Sequence, residues 1–324
     1  MARAHGAGYW FMKRRSFCGV AGAAFLLSSR GKARAADLNR LKVGVISDEI
    51  SRDFEKALRF LQSYGLRYVE IRYVWDTYIT DADSATIAKV RSLLEKYRIQ
   101  APLIASPGFK STLPGTQILP VDPEQYKLFD RPHSEQRPLL ENAIARAHEL
   151  GAEYIRIFSG WRTANPMDHI DLITEEMTKA AELAGQRKMK LALENEHACN
   201  VATGTEAGLL LDRVKHPAFG LNWDPGNCFA AGEQPYPDGY ARLPKDRIWH
   251  THLKDGVIDP ATKRNRWMPV GKGQVDFDGQ IRALLDDGFR GMWSLETHYR
   301  HPSGDRELAT RESLEGLLEK LRRA

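Results

Sequence analysis

Four side chains that can bind a metal ion occupy matching places in four strand-like segments in the second half of the chain. They are Glu194, Asp224, His252 and Glu296. Around each of them apolar and polar residues alternate at a period of two, and all four belong to the polar phase, so they share one face of a sheet. Three carboxylates and one imidazole form a hard oxygen and nitrogen site. The sequence therefore predicts a divalent metal ion, Mn²⁺ first, with Mg²⁺, Co²⁺ or Zn²⁺ as alternatives.

An ion held by four protein ligands keeps coordination positions for two adjacent oxygens of a sugar. Such an ion polarises a carbonyl and stabilises an enediolate while a carboxylate removes the proton on the next carbon. Glu194 and Glu296 come from well-separated segments, so we predict that both are catalytic as well as ligands. Deprotonation by one and reprotonation by the other inverts a carbon centre, whereas one acid acting on both carbons gives aldose–ketose isomerisation.

Strand and helix patterns alternate from residue 36 to residue 324, which we interpret as one domain. The predicted strands are 41–47, 68–74, 101–105, 154–158, 190–196, 219–224, 248–254 and 292–298. The predicted helices are 54–64, 84–97, 138–150, 170–187, 206–214, a short piece at 240–244, 277–287 and 306–321. Eight such units favour a (β/α)8 TIM barrel, an α/β fold, over a doubly wound sheet, because no glycine-rich phosphate turn follows the first strand. Two long connections, 106–137 and 255–275, follow strand carboxyl ends and are predicted to cover the substrate.

Five short strings in this region carry a family resemblance. They are LALEN at 191–195, LNWDPGN at 221–227, HLKD at 252–255, GKG at 271–273 and SLETH at 294–298. With them, the chain from about residue 41 onward resembles the sugar phosphate isomerase/epimerase superfamily, the xylose-isomerase-like barrels. The resemblance implies that the four ligands named above hold a divalent metal and that both glutamates transfer protons.

The chain departs from that family pattern at two places. Tagatose-epimerase-like members carry a histidine three residues after the metal aspartate, where this chain has Asn227. Members often have an acid between the two glycines of the fourth string, where this chain has Lys272, which would either anchor an anionic group or lie in solvent. The substrate contacts at both places are therefore left open.

Seven further residues are predicted to bind substrate, because they flank the ligands or point inward from earlier strands. They are His197, Asn227, Lys254, His298, Arg156, Glu70 and Trp161. A structural interpretation stands beside six of these predictions: loop positions for the two histidines, an ion pair for Lys254, a supporting network for Arg156 and Glu70, and core packing for Trp161.

The first 35 residues have the composition of an export signal. They contain seven basic residues and no acid, so the remaining chain has 40 Lys and Arg against 42 Asp and Glu, a net charge of −2. A basic cluster with paired arginines at 13–15, an apolar stretch at 19–27 and an Ala-x-Ala ending at 33–35 resemble a twin-arginine signal. We therefore predict a periplasmic or secreted protein whose substrate is a non-phosphorylated sugar, because sugar phosphates are scarce outside the cytoplasm.

The charge of the chain and the predicted signal limit the classes of molecule that this protein is expected to bind. The negative charge of the chain after residue 35 argues against nucleic acid, and no membrane is expected once the signal is removed. A homo-oligomer is left open. Cys199 and Cys228 follow ligands on consecutive predicted strands, so either a disulfide or two buried thiols fits the sequence.

The leading hypothesis is a metal-dependent sugar isomerase or epimerase that transfers a proton next to a carbonyl through an enediolate. The alternative keeps the same metal and base but expels a β-substituent after the proton is removed, as a lyase or dehydratase on a keto-sugar or keto-glycoside. A non-catalytic sugar-binding barrel would be expected to lack a ligand, and none of the four is missing.

Overall fold

The computed structural model describes residues 38–120 and 131–324, and its centre is a closed barrel of eight parallel strands. In chain order the strands are β1 (Lys42–Ile46), β2 (Tyr68–Ile71), β3 (Tyr73–Val74), β4 (Thr77–Tyr78), β5 (Gln100–Ala105), β6 (Tyr154–Ile157), β7 (Lys190–Glu194), β8 (Phe219–Trp223), β9 (Ile248–Leu253), β10 (Asp255–Ile258), β11 (Asn265–Met268) and β12 (Met292–Leu295). Around the barrel the order is β1, β12, β9, β8, β7, β6, β5 and β2. The predicted (β/α)8 barrel is confirmed.

Helices follow the barrel strands on the outside. They are α1 (Ser47–Ile50), α2 (Phe54–Ser63), α3 (Ser84–Tyr97), α4 (Gln136–Leu150), α5 (Ile170–Gln186), α6 (Gly204–Arg213), α7 (Pro225–Ala230), α8 (Phe277–Asp286) and α9 (Arg306–Arg323). Their ends follow ordinary capping chemistry. Asp83 caps α3 by accepting from the Thr86 amide at 2.7 Å. After α4, Gly151 adopts a φ of 70°, the left-handed conformation that glycine favours at the end of a helix.

The hydrophobic core lies between the barrel and these helices. Leu193, Leu221, Trp223, Trp293 and Leu295, all from the apolar phase of their strands, are at most 1% exposed. Burying this phase outward stabilises the barrel, because each large apolar side chain gains about 1.5–3 kcal/mol on burial. The same alternation leaves the polar phase facing the barrel interior.

Two predicted elements differ from the structure. The strand predicted at 68–74 is interrupted after Ile71, and β3 and β4 form a small antiparallel hairpin beyond it. The short helix predicted at 240–244 lies slightly earlier in the chain, because helical turns cover Pro235–Gly239 and continue to residue 241. The sequence analysis did not predict α7, which follows directly after β8. Pro225 at the first helical position and Asp224 as its cap start α7 at once, because proline is pre-shaped for a helix N-terminus.

The first predicted domain, residues 1–35, lies outside the described residues. Within the described ranges, no helix combines the length and the apolar character needed to span a membrane.

Candidate active site

The four predicted metal ligands meet at the carboxyl end of the barrel. One donor atom from each of Glu194, Asp224, His252 and Glu296 lies within 4.8 Å of the others, and all four residues are buried. Each stands at or just beyond the end of its strand, the face on which TIM barrels build active sites. The structure therefore contains a candidate metal site with the donor set that the sequence indicates.

The strand register explains this convergence. Glu194 on β7 is level with Asn222 on β8, and His252 on β9 is level with Ser294 on β12. Asp224 and Glu296 are the first residues after β8 and β12. Because neighbouring strands are about 4.8 Å apart, inward side chains at the same level are brought together.

Glu70 holds His252 in a single orientation. Its carboxylate lies 2.9 Å from His252 Nε2, 2.9 Å from His250 Nε2 and 2.7 Å from Ser294 Oγ, and it is fully buried. Burial alone would raise the pKa of Glu70, but the two imidazoles outweigh it and hold this pKa well below its ordinary range. The ionised carboxylate fixes the proton of His252 on Nε2.

The environment of His252 Nδ1, the ring nitrogen that faces away from Glu70, indicates whether a metal ion fits this site. His252 Nδ1 is buried and lies 3.3 Å from Glu194 Oε1 and 3.6 Å from Glu296 Oε2, with no hydrogen-bond partner among the described residues. A buried ring nitrogen that faces carboxylates without a hydrogen bond is costly unless a cation lies between them. The chemistry of these donors fits a divalent metal ion.

The variant Glu70→Gln is expected to weaken metal binding about 10- to 100-fold, the usual effect of losing an outer-shell carboxylate. Glutamine carries no charge and can present its amide nitrogen, so His252 loses its fixed tautomer. Isothermal titration with Zn²⁺ and Mg²⁺ measures the change. His250→Gln is the matched control, because it leaves the bond between Glu70 and His252 in place. Equal losses in the two variants would contradict the specific role of Glu70.

Two buried cations and one partly buried cation pair with three of the candidate ligand carboxylates. Arg156 Nη1 lies 2.6 Å from Glu194 Oε2, and Arg72 Nη1 lies 3.1 Å from Glu296 Oε1. Lys254, fully buried, places its ammonium against Glu296 and 3.0 Å from Asp224 Oδ2. The site is therefore a dense network of charges rather than an open acidic cluster.

These contacts set the pKa values of the ligands. Burial opposes ionisation of Glu194 and Glu296, but His252 and Arg156 lower the pKa of Glu194, and Lys254 and His298 hold that of Glu296 well below its ordinary range. Burial dominates at Asp224 and raises its pKa to about 7. The two glutamates are therefore stable carboxylates, which suits metal ligands and makes them weak bases.

Asn227 and Glu196 link the ligands to a histidine at the mouth of the site. Asn227 Nδ2 lies 3.0–3.1 Å from carboxylate oxygens of Glu194, Glu196 and Asp224. Its Oδ1 is 3.0 Å from His197 Nδ1. Burial would raise the pKa of Glu196, but the charges of Lys110, His197 and Lys254 lower it instead. Lys110 comes from the connection after β5, and its Nζ lies 3.6 Å from Glu196 Oε1.

The hairpin of β10 and β11 lies over these side chains. The Trp267 ring is 5.2 Å from Lys254 Nζ, and its centroid is 6.0 Å from that of His197 and 5.5 Å from that of His298. His298 Nε2 is 3.2 Å from Glu296 Oε1. The predicted cover from the second long connection is thus an aromatic side chain at the mouth.

Asp255 anchors the base of this hairpin. Its carboxylate accepts hydrogen bonds from the backbone amides of Gly256, Gly271, Gly273 and Val275 at 2.8–3.2 Å. A Cβ at Gly273 would lie 2.1 Å from Asp255 Oδ1, so only glycine fits there. The aspartate of HLKD and the glycines of GKG are one structural clamp, and Lys272 between them is exposed.

The predicted substrate contacts fall into two groups. His197 and His298 are partly exposed at the mouth. Asn227, Lys254, Arg156, Glu70 and Trp161 are buried, and the polar ones among them bond to ligands or their partners. This placement favours a supporting role for Glu70 and a packing role for Trp161, and their substrate contacts stay predictions.

Several residues of the site carry little sequence signal. Lys110 lies in a long loop, and Asp48 and Glu49, which bind Arg72, lie in α1 just past the first strand. The buried cysteines Cys199 and Cys228 are free thiols, so of the two interpretations left open the disulfide is excluded in this structure.

Comparison with known proteins defines the family. The sequence pattern of the xylose isomerase-like TIM barrels matches residues 58–321, most of the chain. The chain belongs to this family.

Two curated relatives are dehydratases. Over 154 residues the chain is 25% identical to 3-dehydroshikimate dehydratase of Pseudomonas putida, covering 46% of this chain and 24% of the relative. Over 176 residues it is 24% identical to inosose dehydratase of Bacillus thuringiensis, covering 46% of this chain and 58% of the relative. The chain thus matches between a quarter and three-fifths of the length of these relatives.

Solved structures share the fold. The IOLI protein with a bound zinc atom superposes with a TM-score of 0.67 at 17% identity, covering 87% of this chain and 98% of the other. A xylose isomerase-like TIM barrel protein from Mycobacterium smegmatis in complex with magnesium gives 0.60 at 19% identity, covering 87% and 96%. Similarity at this level establishes the barrel, and the bound metals are properties of those two proteins.

Proposed function

We propose that the protein is a divalent-metal-dependent lyase that removes water from a non-phosphorylated keto-polyol, a keto-sugar or keto-cyclitol. The observation that carries the proposal is the buried cluster of Glu194, Asp224, His252 and Glu296, with the unpartnered His252 Nδ1 facing the carboxylates. Relatives named as dehydratases favour elimination over isomerisation. The isomerase interpretation of the sequence shares the first proton abstraction and stays a prediction.

The residues of the chain would act as follows. Glu194, Asp224, His252 and Glu296 would hold the metal, which when bound polarises the carbonyl of the substrate and lowers the energy of the enolate. Lys254 and Arg72 orient Glu296, and Arg156 orients Glu194. Trp267, whose ring lies next to Lys254 at the mouth of the site, would reduce the access of water to the metal site. Mn²⁺ remains our first proposal for the metal because of the three oxygen donors.

The charges at the site favour a neutral substrate. Among the described residues, Asp48, Glu49, Glu70, Glu194, Glu196, Asp224 and Glu296 provide seven carboxylates. Four cations face them, namely Arg72, Lys110, Arg156 and Lys254, and each contacts at least one of these acids. A divalent ion would still leave one negative charge in excess. A neutral keto-cyclitol of the inosose type therefore suits the site better than a carboxylate such as 3-dehydroshikimate.

Export stays part of the proposal. Residues 1–35, which carry the predicted twin-arginine signal, lie outside the described residues. A protein exported to the periplasm would meet free sugars and cyclitols, which supports a substrate without phosphate.

Incubation in D₂O tests the function. The protein is loaded with Mn²⁺, Mg²⁺ or Zn²⁺, or treated with EDTA, and given scyllo-inosose, D-fructose, D-xylose or 3-dehydroshikimate. We expect metal-dependent loss of one C–H signal by NMR and release of water from scyllo-inosose. Exchange that ends in an epimer or an aldose–ketose pair would instead support the isomerase. No exchange with any of these compounds, despite bound metal, would overturn proton abstraction.

A further inference from the structure

Among the described residues, four imidazoles adjoin the ligand cluster, and three of them contact its acids or the carboxylate of Glu70 behind it. His252 is a candidate ligand, His250 Nε2 lies 2.9 Å from buried Glu70, and His298 Nε2 lies 3.2 Å from the ligand Glu296. His197 differs from the two histidines that contact candidate ligands, because its Nδ1 contacts Asn227 and Glu196, and it differs from the buried His250 because its side chain is 31% exposed. Asn227 lies between His197 and the candidate ligands and forms hydrogen bonds with both.

The proton of the neutral His197 ring can be placed from its neighbours. The Nδ2 of Asn227 is surrounded by three carboxylates, so the Oδ1 of this amide must face His197. Glu196 Oε1 lies 3.3 Å from the same Nδ1. Both neighbours of Nδ1 are hydrogen-bond acceptors, so Nδ1 carries the proton and Nε2 carries a free lone pair.

A carboxylate is fixed beside the Nδ1 edge of the His197 ring. Glu196 is held by Asn227 Nδ2 at 3.0 Å and faces Lys110 at 3.6 Å, so its carboxylate stays beside the ring. A fixed carboxylate behind an imidazole stabilises the imidazolium that forms when the ring acts as a base. By contrast, Glu194 and Glu296 are neutralised by Arg156, Arg72 and Lys254.

We propose that His197, rather than a glutamate, moves the proton in the reaction. This inference rests on the proposed function. Nε2 takes the proton from the carbon next to the carbonyl, and the electrons of that C–H bond form an enolate. The enolate then re-forms the carbonyl and expels the hydroxyl from the next carbon, which leaves as water with the proton from Nε2. The ring returns to its neutral state, and no oxidant or reductant is needed.

Two variants of His197 test this role with scyllo-inosose in D₂O. His197→Asn keeps a group near the Nδ1 position but has no Nε2, and we expect its exchange and dehydration rates to fall about 10²- to 10⁴-fold. Affinity for Zn²⁺, measured by titration without substrate, should remain that of the wild type. In His197→Ala, added imidazole should restore part of the exchange. His133→Asn is the control, because His133 is similarly exposed at 30% and also contacts a glutamate, 2.7 Å away.

Each outcome has one meaning. Exchange by His197→Asn at the wild-type rate would overturn the inference, and so would a loss of exchange that is matched by a loss of Zn²⁺ affinity, since that indicates a structural role. The wild type is measured first with the same compound. If the wild type itself fails to exchange, the proposed function fails and not only the role of His197.

Discussion

Replacing Glu296 with glutamine is expected to lower metal affinity by at least ~10²-fold, beyond the effect of losing an outer-shell partner, and to bring proton exchange below detection. Glu296 would supply one of the three ligand oxygens and is also the partner of Lys254 and Arg72. A neutral amide binds a hard divalent ion poorly and leaves these two cations without their counter-charge.

Titration with Mn²⁺ and the D₂O experiment measure the two effects of Glu296→Gln, and circular dichroism reports whether the barrel is intact. Glu307→Gln is the control, because Glu307 also contacts a lysine and an arginine but on the helical surface. Undiminished metal binding by a folded Glu296→Gln protein would remove this residue from the candidate metal site.

Replacing Lys254 with methionine is expected to lower the free energy of unfolding of the EDTA-treated protein by about 3–5 kcal/mol, as when one partner is removed from a buried ion pair. The ammonium contacts Asp224 and Glu296 and lies 3.9 Å from Glu194, so its loss leaves three buried carboxylates in mutual repulsion. Added Mn²⁺ should restore part of this stability, because an ion that binds only the folded state stabilises it.

The pH dependence of this effect has a definite sign. Burial lowers the pKa of Lys254, but the surrounding acids outweigh it and hold the pKa well above its ordinary value. The stabilisation by Lys254 is therefore complete between pH 6 and 9 and is lost only as the pH rises through that raised pKa. In the variant, the carboxylates repel one another less as they take up protons. Because Lys254 lowers the pKa of Asp224, which is about 7 in the wild type, Asp224 takes up its proton at a higher pH in the variant, and the deficit relative to the wild type should shrink as the pH falls from 9 to 7.

Urea unfolding at the two pH values measures the change, and Lys320→Met is the comparison. Lys320 pairs with Asp278 at 2.6 Å on the surface, where an ion pair contributes at most about 1 kcal/mol. If Lys254→Met lowers the free energy of unfolding no more than Lys320→Met does, the buried lysine does not stabilise the candidate ligand carboxylates.

The cations that pair with Glu194 and Glu296 also favour elimination over isomerisation. Both ligand glutamates are paired with guanidinium or ammonium groups, which lowers their pKa values and their strength as bases. Two-glutamate proton transfer, the sequence-based hypothesis for epimerisation, needs at least one of them to accept a proton readily. Dehydration needs one group that removes a proton and returns it to the leaving hydroxyl. A single imidazole beside the cluster can do both, so neither glutamate has to accept a proton.

The sequence by itself predicted the barrel, which is confirmed, and the four candidate ligands, which the structure brings together. A period-two alternation is a local property, and it specifies which face of a strand carries Glu194 or His252 before any partner is known. Parallel strands in a closed barrel place their carboxyl ends at one face, so four ligands in the same phase had to converge there.

Only the tertiary structure decided how these ligands are held. The pairing of Lys110 with Glu196, the bonds from Glu70 to His250 and His252, and the approach of Trp267 to the mouth join residues far apart in sequence. No periodicity records such contacts, because they depend on strand register and loop path. The same holds for His197, whose free nitrogen can be assigned only once the amide of Asn227 is seen among its three carboxylates.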